Sequence, residues 1–433
     1  MEEKNTRQGW FAVIILMLAY TLSFLDRNIL TFLVKPMKRD MDLTDTQVSL
    51  LLGASFGLFY TLMGIPLGRV ADVFSRKKLI AIGLTLWSVM TALCGVTKNY
   101  FQLFLARMGV GVGEATLTPA TYSLLSDYFP KEKLATAISV YSLGIYIGSA
   151  LAALAGGYAV GVLADMDNIT LPLFGEIFAW QLILIIIGLP GILVALLVLL
   201  IKEPKRMGQN TESSVPLSEV WLYMQRHGQK FFLICGGFAF YYLATYATSS
   251  WLPTYLMRIH NLSAKEVANA AAIGFGLFPA IGVITGGIIS DQWTKRGVAD
   301  AKIKMIFWAT LLLIPFCALY PLMPSGTTAM IALIPLVLVL SAPVAAAAAV
   351  VQEIMPNRMR GVASSILILS NNLLGLTIGP TSVALLNDYV FKDEMALGWS
   401  LLIVSLISFS VATVFFYIAL KWGKRSSIDL SKQ

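Results

Sequence analysis

Residues 68–78 read GRVADVFSRKK, and residues 287–296 read GIISDQWTKR. Each stretch closes a long apolar run, sets an aspartate four places after its first glycine, and ends in basic residues. Asp72 and Asp291 lie 219 positions apart, and so do Trp180 and Trp399. A third echo links FPKEKLATAIS (129–139) to MPNRMRGVASS (355–365) at a slightly longer offset. Three weak matches at nearly one spacing mean that the chain is a parallel duplication. Parallel repeats of six membrane helices hold a transported molecule near the bilayer midplane.

Outward from these loops the apolar runs fall at 10–34, 46–68, 78–98, 100–122, 134–162 and 180–201, then at 231–256, 267–290, 303–322, 327–351, 361–386 and 396–420. About twenty residues cross a ~30 Å hydrocarbon slab as a helix. Lipid offers backbone groups no partners, so each run must be helical. The expected fold is an all-α membrane protein with twelve transmembrane helices in two six-helix halves, 1–201 and 231–433. Residues 202–230 form a polar linker, within which Leu217, Val220, Trp221 and Met224 repeat at helical spacing and predict a short helix on the membrane surface.

Composition agrees: 57% of residues are apolar, 13% are charged, and mean hydropathy is +0.75. A soluble domain runs nearer ~25% charged. The net charge of +8 reflects topology, since no basic stripe lies beside stacking aromatics and nucleic acid is not an expected partner. The N-terminus, the even-numbered loops and the C-terminus carry about 23 of the 32 Lys and Arg. The positive-inside rule then puts both termini in the cytoplasm. Cys94, Cys235 and Cys317 lie inside apolar runs and form no disulfide framework or metal spacing. His227 and His260 fall on opposite sides, so neither a metal nor a cofactor is expected. The polar opening MEEKNTRQGW leads into a span without a cleavage site and reads as a retained first helix.

These residues resemble the major facilitator superfamily over the whole chain. Its loop motif G-x-x-x-D-x-x-x-R-[KR] is matched by Gly68, Asp72, Arg76 and Lys77, and less fully by Gly287, Asp291 and Lys295. Arg107, Gly111 and Gly113 match its fourth-span motif R-x-x-x-G-x-G. Gly144, Gly148, Gly156 and Gly157 are similar to its glycine-rich fifth span, without the usual proline, and Gln181 stands where many members carry Arg. The first-span LDRN (25–28) and the fourth-span GVGEA, ending in Glu114 and Ala115, resemble the Spinster family of lysolipid and sphingolipid-phosphate transporters, whose bacterial members SDYFP (126–130) also suits. A first-span Asp-Arg pair also occurs in anion:cation symporters of hexuronates.

Asp26, Arg27, Arg107 and Glu114 are the charges well inside the spans. A charge at mid-helix costs ~3 kcal/mol on insertion scales, so such residues are functional candidates that need partners. Arg107 and Glu114 stand two turns apart on one helix face. Depth along the helices predicts that Asp26 pairs with Arg107 and Arg27 with Glu114. Asp26 or Glu114 is expected to carry a coupling proton, and Arg27 to alternate between a carboxylate and an anionic cargo, whose oxygens its planar fork matches. A static charge network between spans one and four is the competing reading. At the inner surface, Gly68, Asp72, Arg76, Asp127 and Asp291 are expected to form a gate.

The second half lacks comparable charges. Its seventh span contributes Tyr241, Tyr242, Tyr246 and Trp251, and its eleventh Asn371. A charged half facing an aromatic half suits an amphipathic cargo, although aromatics also pack between helices and mark membrane interfaces. Gly109, Gly111 and Gly113 lie in an apolar helix with no preceding strand and are not a phosphate loop. No nucleophile–base pair points to an enzyme, and no signalling domain points to a receptor. The expected activity is proton-coupled, alternating-access transport of lysolipid-like amphiphiles by a monomer in the cell (inner) membrane. Symport of small organic anions such as hexuronates is the second reading.

Overall fold

The computed structural model describes residues 6–430, apart from 164–165, 167, 173–174, 205, 207–216 and 356–358. Among the described residues, ten helices are long and apolar enough to cross a membrane. The other two expected spans are each split in two. The fourth runs Tyr100–Glu114 and Leu117–Tyr128, and the tenth runs Gly326–Ser341 and Pro343–Ile354. The break in the fourth comes directly after Glu114, where the Ala115 N–H is shared between the carbonyls of Gly111 and Gly113. Many large apolar side chains face outward, Leu193 at 65% and Leu196 at 58% exposed among them. In water that would be a liability; against lipid it is the expected surface.

Two compact units are present, Met1–Asn210 with Leu262–Ala272, and Thr211–Asn261 with Ile273–Gln433. In the first, span one (Thr6–Phe32) leads through a short amphipathic helix, Val34–Met41, into span two. Thr44 and Gln47 form a capping box there, which satisfies two backbone N–H groups that the helix start leaves open. Span two includes one π-helical turn, Leu50–Ala54, ahead of Ser55–Val73. Span three is Arg76–Cys94, span five Lys131–Leu163 and span six Ala179–Leu199. A small antiparallel hairpin, Ile169–Leu171 with Gly175–Ile177, precedes span six. The fourth-span glycines permit close helix contact: a Cβ on Gly111 would sit 2.5 Å from the Phe56 carbonyl, and one on Gly113 2.8 Å from that of Gly83. Gln181 donates to the Thr97 carbonyl at 2.7 Å, tying the start of span six to the chain just past span three.

The second unit contains span seven (Gln229–Arg258), span nine (Ala301–Leu319), span twelve (Leu397–Leu430) and most of span eight (Ala264–Lys295). Span eleven alternates: Arg360–Ser370 and Gly379–Leu385 are α-helical, while Asn371–Ile378 and Leu386–Phe391 are π-helical. Such wide turns often mark functional positions. Gly282 and Gly286 lie where a Cβ would collide with the Leu338 and Ala342 carbonyls of span ten. Gly274 and Gly276, a turn or two earlier on the same helix, have nothing within 4 Å of a built Cβ. The linker helix forms as Leu217–His227, with Trp221 exposed and Met224 buried. The polar tract before it lies outside the described residues.

Candidate coupling and substrate site

Within the first unit, span one lays Ser23 and Arg27 against the end of the fourth span's first helix. Arg27 Nε donates to Glu114 Oε2 at 2.7 Å, and Ser23 Oγ donates to the same oxygen at 2.5 Å. The expected Arg27–Glu114 pair therefore forms. Its carboxylate is fully enclosed, whereas the arginine side chain keeps 17% exposure. Three ring faces surround the guanidinium carbon: Phe24 at 5.0 Å, Phe56 at 4.6 Å and Tyr60 at 4.5 Å. Desolvated cation–π contacts of this kind reach about 2 kcal/mol each. Tyr20 and Tyr141, stacked at 4.5 Å, extend the aromatic cluster.

The second expected pair does not form. Asp26 is buried, and its Oδ2 accepts from Thr91 Oγ1 of span three at 3.0 Å. No ion pair joins it to Arg107 among the described residues. Arg107 is buried too, with its guanidinium carbon 5.4 Å from the Phe56 ring. Adjacent residues on a helix point about 100° apart, so Asp26 and Arg27 face different neighbours. Asp26 Oδ1, Arg107 Nε and Glu114 Oε1 all lack a hydrogen-bond partner. An unmet buried polar atom costs about 1–3 kcal/mol, more when charged. The site thus holds four charged side chains and meets their hydrogen-bonding needs only in part.

At the 68–78 loop the chemistry is the reverse. Arg76, 1% exposed, reaches Asp127 at the end of span four through Nη1, which also donates to the Ser123 carbonyl at 3.0 Å. Its Nη2 donates to the Pro204 carbonyl at 3.0 Å and its Nε to Glu203 Oε1 at 3.2 Å. Glu203 further accepts from the Arg76 backbone N–H at 2.8 Å and from Ser75 Oγ. Burial opposes ionisation of Glu203, but the hydrogen bonds from Ser75 and Arg76 outweigh it and hold its carboxyl below the ordinary value. Lys77 and Arg206 add bonds to backbone carbonyls of span six's exit and span two's end. Gly68 lies 4.0 Å, by a built Cβ, from Pro119. Asp291 is exposed in the second unit, and the Asp72 side chain lies outside the described residues.

Residues 16–380 match the Major Facilitator Superfamily. The chain belongs to that superfamily. An MFS-type efflux pump of Mycolicibacterium smegmatis is 27% identical over 99% of this chain and 96% of its own length. A probable L-galactonate transporter of Escherichia coli is 26% identical over 75% and 70%. A solved bacterial homologue of the human lysosomal transporter Spinster, inward-facing and occupied, superposes with a TM-score of 0.76 at 28% identity, covering 98% of this chain and 97% of that one. This facilitator is Spinster-like, and it is a transporter of small molecules, not an enzyme.

In the facilitator's second unit the expected aromatic residues divide. Tyr241 is buried and donates to the Leu340 carbonyl, and Trp251 is buried and donates to the Pro380 carbonyl at 2.9 Å. Both are satisfied within the protein. Tyr242 and Tyr246 are part-exposed one turn apart, with ring centroids 6.1 Å from each other. Asn371 opens a π-helical stretch, and its buried Oδ1 has no partner.

Sequence reasoning missed three parts of this arrangement. Thr91 is the partner of Asp26; Phe24, Phe56 and Tyr60 box Arg27; and Glu203 completes the Arg76 network. A carboxylate two residues past a span's end, in KEP (202–204), was the available signal for Glu203. The aromatic box had none, because aromatics are ordinary in membrane spans.

Proposed function

We propose that this facilitator is a proton-coupled carrier of amphipathic, lysolipid-like substrates. The observation that carries the reading is Glu114, whose one oxygen holds Arg27 and Ser23 while the other lies bare inside the protein. A proton taken by Glu114, or by Asp26 beside it, removes the negative charge that holds Arg27. The guanidinium then exchanges that carboxylate for the cargo's anionic head, with the Phe24, Phe56 and Tyr60 rings lowering the cost of the passage. Departure of the cargo restores the pair and expels the proton. Arg107 keeps the site electropositive. Tyr242, Tyr246 and Asn371 line the path of the apolar body, while Tyr241 and Trp251 hold the wall behind it.

In this reading the halves 1–201 and 231–433 rock about the bound cargo, joined by the 202–230 linker. Gly68, Asp72, Arg76, Asp127 and Asp291 serve the inner gate. Both termini lie in the cytoplasm, the membrane is the cell (inner) membrane, and the unit of function is the monomer. A second reading, symport of small organic anions such as hexuronates, draws support from the similarity to the L-galactonate transporter. The test is uptake of labelled lysophospholipid into proteoliposomes with and without a pH gradient. Gradient-dependent uptake by the wild type should lose its pH response in Glu114→Gln or Asp26→Asn. An unchanged response in both variants rules out coupling at this site. Absence of uptake by folded wild type, with sugar-acid uptake in its place, selects the second reading.

A further inference from the structure

Spans three and six enclose a groove of about 650 Å³ on the outer face of the first unit. Ile82 and Val89 form one wall, Leu196 and Leu199 the other, and Lys78 stands among the lining residues. Thr85 contributes no free donor, since its hydroxyl is turned back to the Ala81 carbonyl at 2.8 Å. Ile82 is 59% exposed, so the groove opens toward whatever surrounds the spans, and around a facilitator that is lipid. Lys77 braces its head: Nζ donates to the Leu199 carbonyl at 3.2 Å and the Ile201 carbonyl at 3.0 Å, which pins span six's exit to span three's start.

The charge is one-sided at that head. Lys78 is exposed at the N-terminal turn of span three, where the helix dipole is positive. Lys202, also exposed, follows Leu199 by three residues. Among the described residues no acid pairs with either. The carboxylate next to Lys202 in the chain, Glu203, is spent on Ser75 and Arg76. Basic pockets between membrane helices at this level select anionic headgroups. We infer that the groove is a binding site for an anionic membrane phospholipid, with one acyl chain along Ile82, Val89 and Leu196 and its phosphate on Lys78 and Lys202. Such a lipid would brace the same corner that Arg76 ties from within. This site is separate from the cargo pathway and does not depend on the cargo assigned above.

Native mass spectrometry of the detergent-purified protein, titrated with phosphatidylglycerol or phosphatidylcholine of equal chain length, tests the inference. The wild type should retain phosphatidylglycerol in preference. Lys78→Gln should weaken that retention about fivefold, the worth of one lysine at an anionic surface. Ile82→Trp, which fills an outward position without touching the packed core, should displace the tightest lipid while leaving the melting temperature of the delipidated protein unchanged. Lys421→Gln, on span twelve, should behave as the wild type. Equal retention of the two lipids by the wild type overturns the inference. So does equal loss in Lys78→Gln and Lys421→Gln, or undiminished retention in Ile82→Trp.

Discussion

The two halves carry one ion pair at equivalent places and use it differently. Arg76 and Asp127 join the start of span three to the end of span four; Lys302 and Glu353, each 226 positions later, join span nine to span ten. The first pair is enclosed, at 1% and 8% side-chain exposure, and is ringed by carbonyls and Glu203. The second is less enclosed, with Lys302 at 18% and Glu353 open at 54%. Duplication therefore copied the pairing but not its environment. An enclosed guanidinium must have its donors met, and its fork geometry allows that; a pair whose carboxylate is open to solvent contributes little. The lesson extends inward, since the first unit also holds the Arg27–Glu114 pair, while the middle of the second unit's seventh span carries no charged side chain.

Removing the enclosed arginine should break the comparison most strongly. Arg76→Ala leaves Asp127 and Glu203 partly buried without their cation, and a loss of about 3–5 kcal/mol is expected, read by denaturation in mixed micelles. A loss no greater than that of a surface pair would mean that enclosure adds nothing. Arg76→Lys keeps the charge but forfeits the fork that reaches Asp127, Glu203 and Pro204 together. It should cost about 2 kcal/mol, and full retention would show that charge alone suffices.

Acid should separate the two pairs next. The folded state holds the Glu203 carboxyl below its ordinary value. Its contribution is thus complete above the unfolded value of about 4.3 and fades as pH falls through the lower folded value. A melting profile from pH 6 to 3 should show a decline that Glu203→Gln lacks; identical profiles would remove Glu203 from the network. Smallest of all, Lys302→Met should shift stability by no more than about 1 kcal/mol. A larger loss would make the halves equivalent after all.

Much of this was legible in the sequence. The Asp72/Asp291 and Trp180/Trp399 echoes announced the duplication, and the hydropathy pattern announced the spans. Arg27 and Glu114 stood out because a charge inside a hydrocarbon-length run is costly and must find a partner. The partner of Asp26 was less legible. Arg107 offered the opposite charge, but the structure turns Asp26 toward the neutral Thr91. Helix rotation decides which neighbour a side chain meets, and periodicity in a nearly uniform apolar run barely specifies rotation. The break after Glu114 also left no clear mark, because Ala115 and Thr116 are unremarkable in a span.

The sequence by itself determined that the chain is a duplicated bundle of membrane helices with its buried charges gathered in one half. Hydrocarbon thickness and the cost of bare backbone groups leave no other outcome for such runs. Tertiary structure alone decided that Asp26 meets Thr91 and not Arg107, that three aromatic rings enclose Arg27, and that Glu203 closes the Arg76 network. Apart from Phe24, three places from Arg27, those contacts join residues from about 30 to 130 positions apart. They depend on the rotation and close approach of whole helices, which glycines such as Gly111 and Gly113 permit and only the packed bundle sets.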